Sequence, residues 1–489
     1  MSAQIAYAQP ALRPSRVARP AFAVYARPAA TSCVLLAADM LAVFLARAVT
    51  VSVWHWVRPA VGLPNFLGFW ESLVLFALAY AALGLYSGGA VGVVEELRRV
   101  ALGTGLVCLT LTASLFFLQR AGPYSRGLLV LSGVLTAAAV PLARSSARHL
   151  FASRRWWGVP VLVLGAGGAA QIVIGRLRAN PQIGFKPVAC FADEIIGSHC
   201  AGVPVAGPLS AAGGLAKRLK IRHALVAMPG VAREDLVWML DEWGAAFSHV
   251  ILIPNLFGLA SLWVSARDVG GILGLEMRQN LLIPLNRWTK RAIDIAGALA
   301  LGCMALPIAA AAALWIKCIS RGSVLYRQER EGEGGGALRI PKLRTMHADA
   351  EALLMRVLSE SPEIRAEWTC RFKLKNDPRI LPGVGKFLRK TSLDELPQLW
   401  RVLKGEMSLV GPRPFPRYHL DRFGPRFRAL RHRVKPGLTG LWQVSDRSDG
   451  DLAVQETLDT YYIRNWSPWL DLYILARTVA AVLLARGAY

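Results

Sequence analysis

Apolar residues dominate the first third of the chain, where they form four long runs separated by short polar segments. The runs cover residues 31–53, 66–86, 100–118 and 127–143. Each run has close to the ~20 residues that a helix needs to cross a hydrocarbon layer about 30 Å thick. The pattern predicts a bundle of four transmembrane helices within residues 31–150, preceded by an N-terminal tail at residues 1–30.

Charged residues inside two of these runs require partners. Asp39 and Arg47 lie in the first run, and Glu71 lies in the second. A charge in hydrocarbon is costly, so such residues pair with another helix, extend toward the interface or serve transport. We expect pairing or extension here, and transport is the alternative.

Basic residues around the runs predict the orientation of the bundle, because cytoplasmic segments are enriched in Lys and Arg. The tail, the second loop and the segment after the fourth run carry most of them: Arg13, Arg16, Arg19, Arg27, Arg98, Arg99, Arg144, Arg148, Arg154 and Arg155. The other two loops hold Arg58, Arg120 and Arg126. The tail and everything after the bundle are therefore predicted to be cytosolic.

A fifth apolar run, at residues 292–316, has features that disfavour a simple crossing. Pro307 lies inside it and removes a helix hydrogen bond. Both flanks are basic, with Arg291 before the run and Lys317 after it. Positive charge at both ends favours a re-entrant helix that enters the membrane and returns to the cytosolic face. A plain spanning helix is the alternative.

A different pattern follows the fourth run. Val159–Leu164 is typical of a buried strand, and a G-x-G-x-x-A turn containing Gly165, Gly167 and Gly168 follows it directly. This order predicts a Rossmann-like α/β domain over residues 158–278. No acidic residue stands about 20 positions further on. Dinucleotide binding at these glycines and a purely structural or regulatory domain therefore both stay open.

A membrane-anchored nucleotide-sugar dehydratase would combine the same bundle with the same α/β domain. Its chemistry uses a Tyr-x-x-x-Lys pair, in which the lysine lowers the pKa of the tyrosine for proton transfer. No tyrosine in this sequence has a lysine four positions later. The dehydratase is therefore the disfavoured alternative.

The composition of the whole chain fits a membrane protein that meets anionic partners. Its 489 residues include 57 Lys plus Arg and 32 Asp plus Glu, a formal charge of +25, yet 54% are hydrophobic. This apolarity excludes a disordered polycation and disfavours a soluble nucleic-acid-binding protein. Residues 1–158 (14 basic, 4 acidic) and 286–489 (33 basic, 20 acidic) carry most of the excess. The seven cysteines form no C-x-x-C pair, so neither a zinc site nor a disulfide framework is predicted.

Dense polar clusters begin at Asn286 and are richest around two adjacent carboxylates, Asp394 and Glu395. Neighbouring residues on a helix point about 100° apart, so the two acids cannot do the same job. Lysines and arginines near tight turns accompany them: Lys342, Arg344, Arg389, Arg413, Lys435 and Arg447. Converging cations with one or two carboxylates and Mg²⁺ suit phosphoryl transfer, where charge stabilisation supplies most of the catalysis. One acid would attack phosphorus while the other binds the metal.

Four motifs in this segment resemble the bacterial sugar transferases known as polyprenyl-phosphate hexose-1-phosphate transferases, or monotopic phosphoglycosyl transferases. They are Lys342-Leu-Arg-Thr-Met346, Ser392-Leu-Asp-Glu-Leu-Pro-Gln398, Gly405-Glu-Met-Ser-Leu-Val-Gly-Pro-Arg-Pro414 and residues 435–443. The resemblance covers all of residues 286–489. It extends to Gly84-Leu-Tyr86, Ala227-Met-Pro-Gly230 and residues 253–259, which look like the branch that transfers galactose 1-phosphate to undecaprenyl phosphate.

The resemblance implies a catalytic domain at residues 286–489 and a two-step reaction. Asp394 would attack the sugar-linked phosphate of a UDP-hexose, which releases UMP and forms a phosphosugar–aspartyl intermediate. Undecaprenyl phosphate would then attack it to give undecaprenyl-diphospho-hexose, at the first membrane step of exopolysaccharide, capsule or O-antigen synthesis. Glu395 is the implied Mg²⁺ ligand, and Arg389 and Arg413 are implied nucleotide- and phosphate-binding residues. Pro307 matches the proline that breaks the family's re-entrant helix.

The resemblance also implies the partners and the location. The partners are a UDP-hexose, undecaprenyl phosphate and the lipid bilayer of the bacterial inner membrane, with a homodimer left open and no nucleic acid expected. Galactose is the expected sugar, and glucose is the alternative. A non-catalytic membrane scaffold with an inactive transferase domain is a further alternative.

Overall fold

The structure, a computed structural model, describes most of the chain as helices and strands. The described residues are 25–57, 70–86, 91–117, 126–193, 197–231, 246–253, 264–269, 272–277, 280–347, 349–361, 365, 377, 379–445 and 452–483. The chain divides into two compact units, Met1–Gly258 and Leu259–Tyr489. The first holds the N-terminal apolar helices and a six-stranded sheet, and the second holds a long apolar helix and the chemical motifs.

Within the described part of the first unit, four helices form the bundle: α1 (Pro28–Val57), α2 (Trp70–Ala82), α3 (Val93–Phe117) and α4 (Arg126–Phe151). Helices α1, α3 and α4 are long and apolar enough to cross a membrane. Helix α2 is a shorter apolar helix, and residues 58–69, which include the start of the predicted second run, lie outside the described residues. Helix α4 continues past the predicted end at residue 143, so Arg144 and Arg148 belong to the helix and not to a loop.

The charge predicted inside the first run is paired within the bundle. Arg144 on α4 forms a bidentate ion pair with Asp39 on α1, with Nε–Oδ1 and Nη2–Oδ2 distances of 2.8 and 2.7 Å. Both side chains are almost fully buried, at 1% and 0% exposure. Tyr86 donates to the same carboxylate over 2.8 Å, and Glu96 on α3 lies 3.5 Å from Arg144. The expected interhelical pair is therefore confirmed for Asp39.

Of the other two charged residues in these runs, the structure describes the side chain of Arg47 only. Arg47 on α1 donates to the hydroxyl of Ser72 on α2, and its guanidinium lies 5.4 Å from the ring centroid of Phe76. The side chain of Glu71 lies outside the described residues. Arg47 is therefore another contact between helices of the bundle.

The sheet of the first unit has the strand order of a Rossmann fold. Its strands are β1 (Val159–Leu164), β2 (Phe185–Phe191), β3 (His199–Cys200), β4 (Val203–Gly207), β5 (His223–Val226) and β6 (His249–Leu252). They lie side by side in the order β3-β4-β2-β1-β5-β6, parallel throughout except for the short β3–β4 edge. The order reverses between β2 and β5 on the two sides of β1, as in doubly wound sheets. The predicted Rossmann-like fold is confirmed for the sheet at residues 159–252.

Alternation along β1 explains how the sheet is covered on both faces. Val161 and Val163 pack with helix α5 (Gly168–Ala179), whereas Leu162 and Leu164 pack with helix α6 (Ala212–Leu219). Successive side chains of a strand point to opposite faces, so a continuous apolar run predicts burial on both sides.

In the glycine-rich turn between β1 and α5, the fold requires glycine at one position, whereas two other glycines have free space around them. Gly165 has a φ of +109°, and a Cβ there would lie 2.8 Å from Ala227 O. A Cβ at Gly167 or Gly168 would meet nothing within 4 Å, so packing does not require glycine at either position. Dinucleotide binding at this turn stays a prediction.

The second unit contains three small sheets and nine helices among its described residues. The elements are β7 (Val264–Val269), β8 (Ile272–Met277), α7 (Pro284–Ile319), β9 (Leu325–Glu331), β10 (Ala337–Leu343), α8 (Ala350–Glu360), α9 (Val384–Thr391), α10 (Leu399–Lys404), β11 (Ser408–Val410), α11 (Arg417–Leu420), α12 (Pro425–Arg431), β12 (Gly437–Thr439), α13 (Leu441–Val444), α14 (Leu452–Asn465) and α15 (Pro468–Leu483). Pairs β7–β8 and β9–β10 are antiparallel, and β11–β12 is parallel. The β7–β8 hairpin falls in this unit, although the predicted Rossmann-like domain extended to residue 278.

Helix α7 differs from the expected proline-broken helix. It runs without interruption from Pro284 to Ile319, with Pro307 inside it. A proline removes one backbone hydrogen bond and clashes with the preceding turn, but the remaining bonds of a long apolar helix can hold it together. Pro307 therefore does not divide this helix into two separate helices.

The buried Asp39–Arg144 pair generates a prediction about stability. Asp39→Asn or Arg144→Met alone leaves one buried charge without its partner, which costs about 3–5 kcal/mol. We expect each single variant, purified in detergent, to unfold about 10 °C below the wild type in a thermal scan. The double variant should recover most of this loss, because no unpaired charge remains. Single variants that unfold at the wild-type temperature would show that the pair does not stabilise the bundle.

Candidate active site

The two candidate carboxylates lie on a 3₁₀ turn, Leu393–Gln398, which we call the carboxylate turn. The turn begins after Ser392, whose left-handed backbone (φ 55°) ends helix α9. Leu393 packs against the buried apolar cluster that contains Ile316 of α7. The turn is thereby anchored on the long apolar helix α7 by the residue immediately before Asp394.

Glu395 is fixed by two cations from separate parts of the chain. Lys342 on β10 lies 2.6 Å from Glu395 Oε1, and Arg413 Nη2 lies 3.0 Å from the same oxygen. Burial alone raises the pKa of Glu395, but Arg413 and Lys342 outweigh it and bring that pKa down to about 2. Glu395 is therefore ionised at physiological pH and is not suited to act as a general acid or base.

Asp394 has a different environment although it is the adjacent residue. It is half-buried, and its carboxylate has no hydrogen bond or ion pair within the described part of the chain. Burial raises the pKa of Asp394 to about 6, against the opposing effect of Lys342. At neutral pH this carboxylate is mostly ionised yet more basic than an ordinary aspartate, which suits a nucleophile. The pair thus consists of one fixed anion and one uncommitted anion.

Further cations lie near Asp394. Arg389 on α9 donates from Nε to Thr345 Oγ1 over 3.0 Å. Burial lowers the pKa of Arg389, and the nearby carboxylates of Asp377 and Asp394 counteract that effect. Asp377 is itself held by Arg379 through contacts of 2.8 and 2.6 Å. Positive charge beside Asp394 suits a phosphate substrate, because arginine and lysine bind phosphate oxygens.

Residues 411–414, here called the Arg413 loop, follow β11 and carry Arg413 to Glu395. Val410 O, just before the loop, accepts hydrogen bonds from Lys290 Nζ of α7 (3.0 Å) and the Tyr462 hydroxyl of α14 (2.8 Å). A Cβ at Gly411 would lie 2.7 Å from Lys435 O, so this close approach requires glycine. The backbone that presents Arg413 is therefore fixed by residues distant in sequence.

The structure brings together Lys342, Arg389, Arg413, Asp394 and Glu395, but not every predicted binding residue. Arg344 donates to Arg321 O (2.9 Å) and Ser320 O (3.0 Å), so it binds the carbonyls that follow α7 and takes no part in the ion pairs of Glu395. Residues two positions apart share one face only within a strand, and β10 ends at Leu343, so Arg344 lies beyond the strand that positions Lys342.

Of the other two predicted binding residues, Lys435 makes no contact with the carboxylate pair that the structure shows, and Arg447 is not described. The backbone of Lys435 lies against Gly411, and no ion pair of its side chain is found among the residues the structure describes. Arg447 lies outside the described residues. Sequence reasoning missed Thr345, Asp377 and Arg379. The short Asp-Pro-Arg turn at residues 377–379 was the signal that could have revealed two of them.

The carboxylate pair meets the chemical requirement for Mg²⁺, which binds one or two carboxylates together with phosphates and water. Both cation contacts of Glu395 go to Oε1. In the described part of the chain, no group of three His, Cys, Asp or Glu side chains forms a complete protein site. A Mg²⁺ ion here would take its other ligands from a substrate phosphate and from water.

Comparison with known proteins agrees with this chemistry. Residues 285–485 match the bacterial sugar transferase family, and residues 81–254 match a CoA-binding domain family. A UDP-galactose-lipid carrier transferase of Erwinia amylovora is 35% identical over 75% of this chain and 76% of that protein. An undecaprenyl-phosphate galactose phosphotransferase of Salmonella typhimurium is 32% identical, with 75% and 77% covered.

A relative with a different sugar is also similar. A UDP-glucose:undecaprenyl-phosphate glucose-1-phosphate transferase of Escherichia coli is 33% identical over 67% of this chain and 68% of that protein. The family match covers the long apolar helix, the carboxylate turn and the Arg413 loop. The Erwinia and Salmonella relatives extend the similarity over most of both chains. This chain belongs to the bacterial sugar transferase family.

Proposed function

We propose that this protein transfers hexose 1-phosphate, with galactose as the first choice, from a UDP-hexose to undecaprenyl phosphate and releases UMP. The observation that carries the proposal is the uncommitted Asp394 next to a Glu395 fixed by Lys342 and Arg413. The names of the Erwinia and Salmonella relatives support galactose, and that of the E. coli relative makes glucose the second candidate. The reaction would be the first membrane step of exopolysaccharide, capsule or O-antigen synthesis.

In the first step, an oxygen of Asp394 attacks the β-phosphorus of the UDP-hexose, which carries the sugar. A new P–O bond forms, the bond from this phosphorus to the oxygen bridging the two phosphates breaks, and UMP leaves with that oxygen and its electron pair. The product is an acyl phosphate, in which the phosphorus links the Asp394 carboxylate, as a mixed anhydride, to the hexose. Arg389 and Arg413 are near enough to Asp394 to lower its pKa. They can therefore also neutralise the oxygens of a phosphate that Asp394 attacks.

In the second step, a phosphate oxygen of undecaprenyl phosphate attacks the same phosphorus and displaces the Asp394 carboxylate. The hexose is then joined to the lipid through a diphosphate, and the free carboxylate is restored. A covalent intermediate divides the transfer into two easier steps. UMP can leave before the lipid phosphate reacts, so the two mutually repelling anionic substrates need not meet directly.

Glu395 is the residue we propose for holding Mg²⁺, through the oxygen that neither Lys342 nor Arg413 contacts. When bound, the metal would neutralise charge on the diphosphate as the leaving group departs. The low pKa of Glu395, about 2, keeps its carboxylate ionised and available to a cation.

We also propose that α7 is re-entrant, so that the active site faces the cytosol at a bacterial inner membrane. Near its start, Asp294 accepts a hydrogen bond from Leu409 N of β11 over 3.0 Å. Near its end, Ile316 packs in the same apolar cluster as Val384 and Leu388 of α9. Both ends of the helix therefore contact one α/β unit, which supports return to the same side. Because α7 is continuous, this return requires a bend within the helix, and we assign the bend to Pro307. A crossing helix would separate its ends by a layer about 30 Å thick.

The proposed reaction predicts the effect of removing the nucleophile. Asp394→Asn should lower UMP release from UDP-galactose, with Mg²⁺ and undecaprenyl phosphate present, by at least about 1,000-fold, because an amide cannot attack phosphorus. The wild type should release UMP faster from UDP-galactose than from UDP-glucose, and EDTA should stop release from both. Asp421→Asn, at an exposed aspartate of the same unit, is the matched control. Wild-type activity in Asp394→Asn would refute the assignment.

The re-entrant helix predicts that both ends of α7 are accessible from the cytosol. Leu285→Cys and the native Cys318, each as the single cysteine of an active variant, are exposed positions near the two ends. A membrane-impermeant maleimide should label both in inside-out vesicles and neither in intact spheroplasts. Labelling of Cys318 from outside the spheroplasts would show that α7 crosses the membrane.

A further inference from the structure

Arg431, at the end of α12, is a buried arginine that neither the motifs nor the ion pairs of the carboxylate turn include. Its side chain is 8% exposed and forms an ion pair through Nη1 with Asp459 of α14, which is 1% exposed. Its guanidinium lies 4.9 Å from the ring centroid of Phe415 and 5.7 Å from that of Phe427. The charged group is thus enclosed by one carboxylate and two aromatic rings.

A buried ion pair of this kind is not an efficient way to stabilise a fold. Desolvation of both charges offsets most of their attraction, and apolar residues of similar volume often stabilise as well or better. Burial raises the pKa of Asp459 to about 6 in spite of Arg431, which shows how strongly the site disfavours charge. Stability alone therefore does not account for this pair, and Arg431 makes a further contact, with the backbone of Arg413.

That contact leads directly to the active site. Nη2 of Arg431 donates a hydrogen bond to the backbone carbonyl of Arg413. The side chain of Arg413 in turn reaches Glu395 Oε1 over 3.0 Å. A guanidinium can bind a carboxylate with one nitrogen and a carbonyl with another in a fixed geometry, whereas the single ammonium group of lysine cannot reproduce this fork. The Asp459–Arg431 pair therefore connects α14 to Arg413, the residue that contacts the carboxylate turn.

We propose that Arg431 is a positioning residue, which holds the backbone of Arg413 so that the Arg413 guanidinium meets Glu395 and the substrate diphosphate. The inference rests on the proposed function, because it assigns Arg413 to the binding of a UDP-hexose. Asp459 orients Arg431, and the aromatic rings of Phe415 and Phe427 exclude water from the pair. Displacement of a positioned group by about 1 Å can cost on the order of 100-fold in rate.

The test compares Arg431→Lys with Arg413→Ala in UMP release from UDP-galactose. Lysine keeps the charge opposite Asp459, so the variant should fold, but it loses the second nitrogen that binds the Arg413 carbonyl. We expect the KM for UDP-galactose to rise about 10- to 100-fold in both variants. In the double variant the two effects should not multiply, because Arg431 acts only through Arg413.

Two further variants keep the outcome interpretable. Arg428→Met removes a partly exposed arginine of the same helix, which pairs with Asp421 and Glu331, and should leave KM unchanged. If Arg431→Lys does not fold, Asp459→Asn takes its place, with a smaller rise in KM and the same lack of additivity with Arg413→Ala. An unchanged KM, or effects that multiply fully, would overturn the positioning role. Failure of the proposed function is distinct, since the wild type would then release no UMP.

Discussion

The binding of Glu395 by Lys342 and Arg413 is the interaction on which the chemistry of the second unit depends. Two adjacent carboxylates repel each other, and without fixed cations each would raise the pKa of its neighbour. Both cations contact Glu395, at 2.6 and 3.0 Å, so Asp394 has no direct partner among the residues the structure describes, and burial raises its pKa to about 6. The difference between the two acids arises only after β10 and the Arg413 loop have come together around the carboxylate turn.

Support for this arrangement comes largely from α7, so anchoring and catalysis are not separate in this unit. Lys290 binds the carbonyl that precedes the Arg413 loop, and Ile316 belongs to the cluster on which Leu393 packs. The same helix thus holds the backbone on both sides of the Glu395 ion pairs. In the first unit, the buried Asp39–Arg144 pair has a structural role between helices, which accounts for charges that composition alone could have assigned to transport.

Sequence patterns predicted the features that depend on residues close together in the chain. The apolar runs, the strand–glycine–helix order of the Rossmann-like sheet and the adjacent carboxylates were readable from sequence. The cations Lys342, Arg389 and Arg413 were readable beside them, and the resemblance gave Arg389 and Arg413 a binding role. A substrate-binding role of Arg344 stays a prediction, because its guanidinium binds the carbonyls of Arg321 and Ser320, and a motif does not show which way each side chain points. Arg431 and Asp459 could not be found, since they are 28 positions apart and meet only in the folded chain. Pro307 was expected to break a helix that its other hydrogen bonds keep continuous.

The central claim is that the sugar-linked phosphorus is transferred to Asp394. The most direct measurement uses UDP-galactose carrying ³²P at either the α- or the β-phosphate, mixed with the purified protein and Mg²⁺ but no lipid acceptor. The account predicts that the β-label becomes attached to the protein, on the peptide that contains Asp394, while the α-label leaves as UMP. An α-label on the protein, or no labelling of an enzyme that still forms lipid-linked product when undecaprenyl phosphate is added, would contradict it.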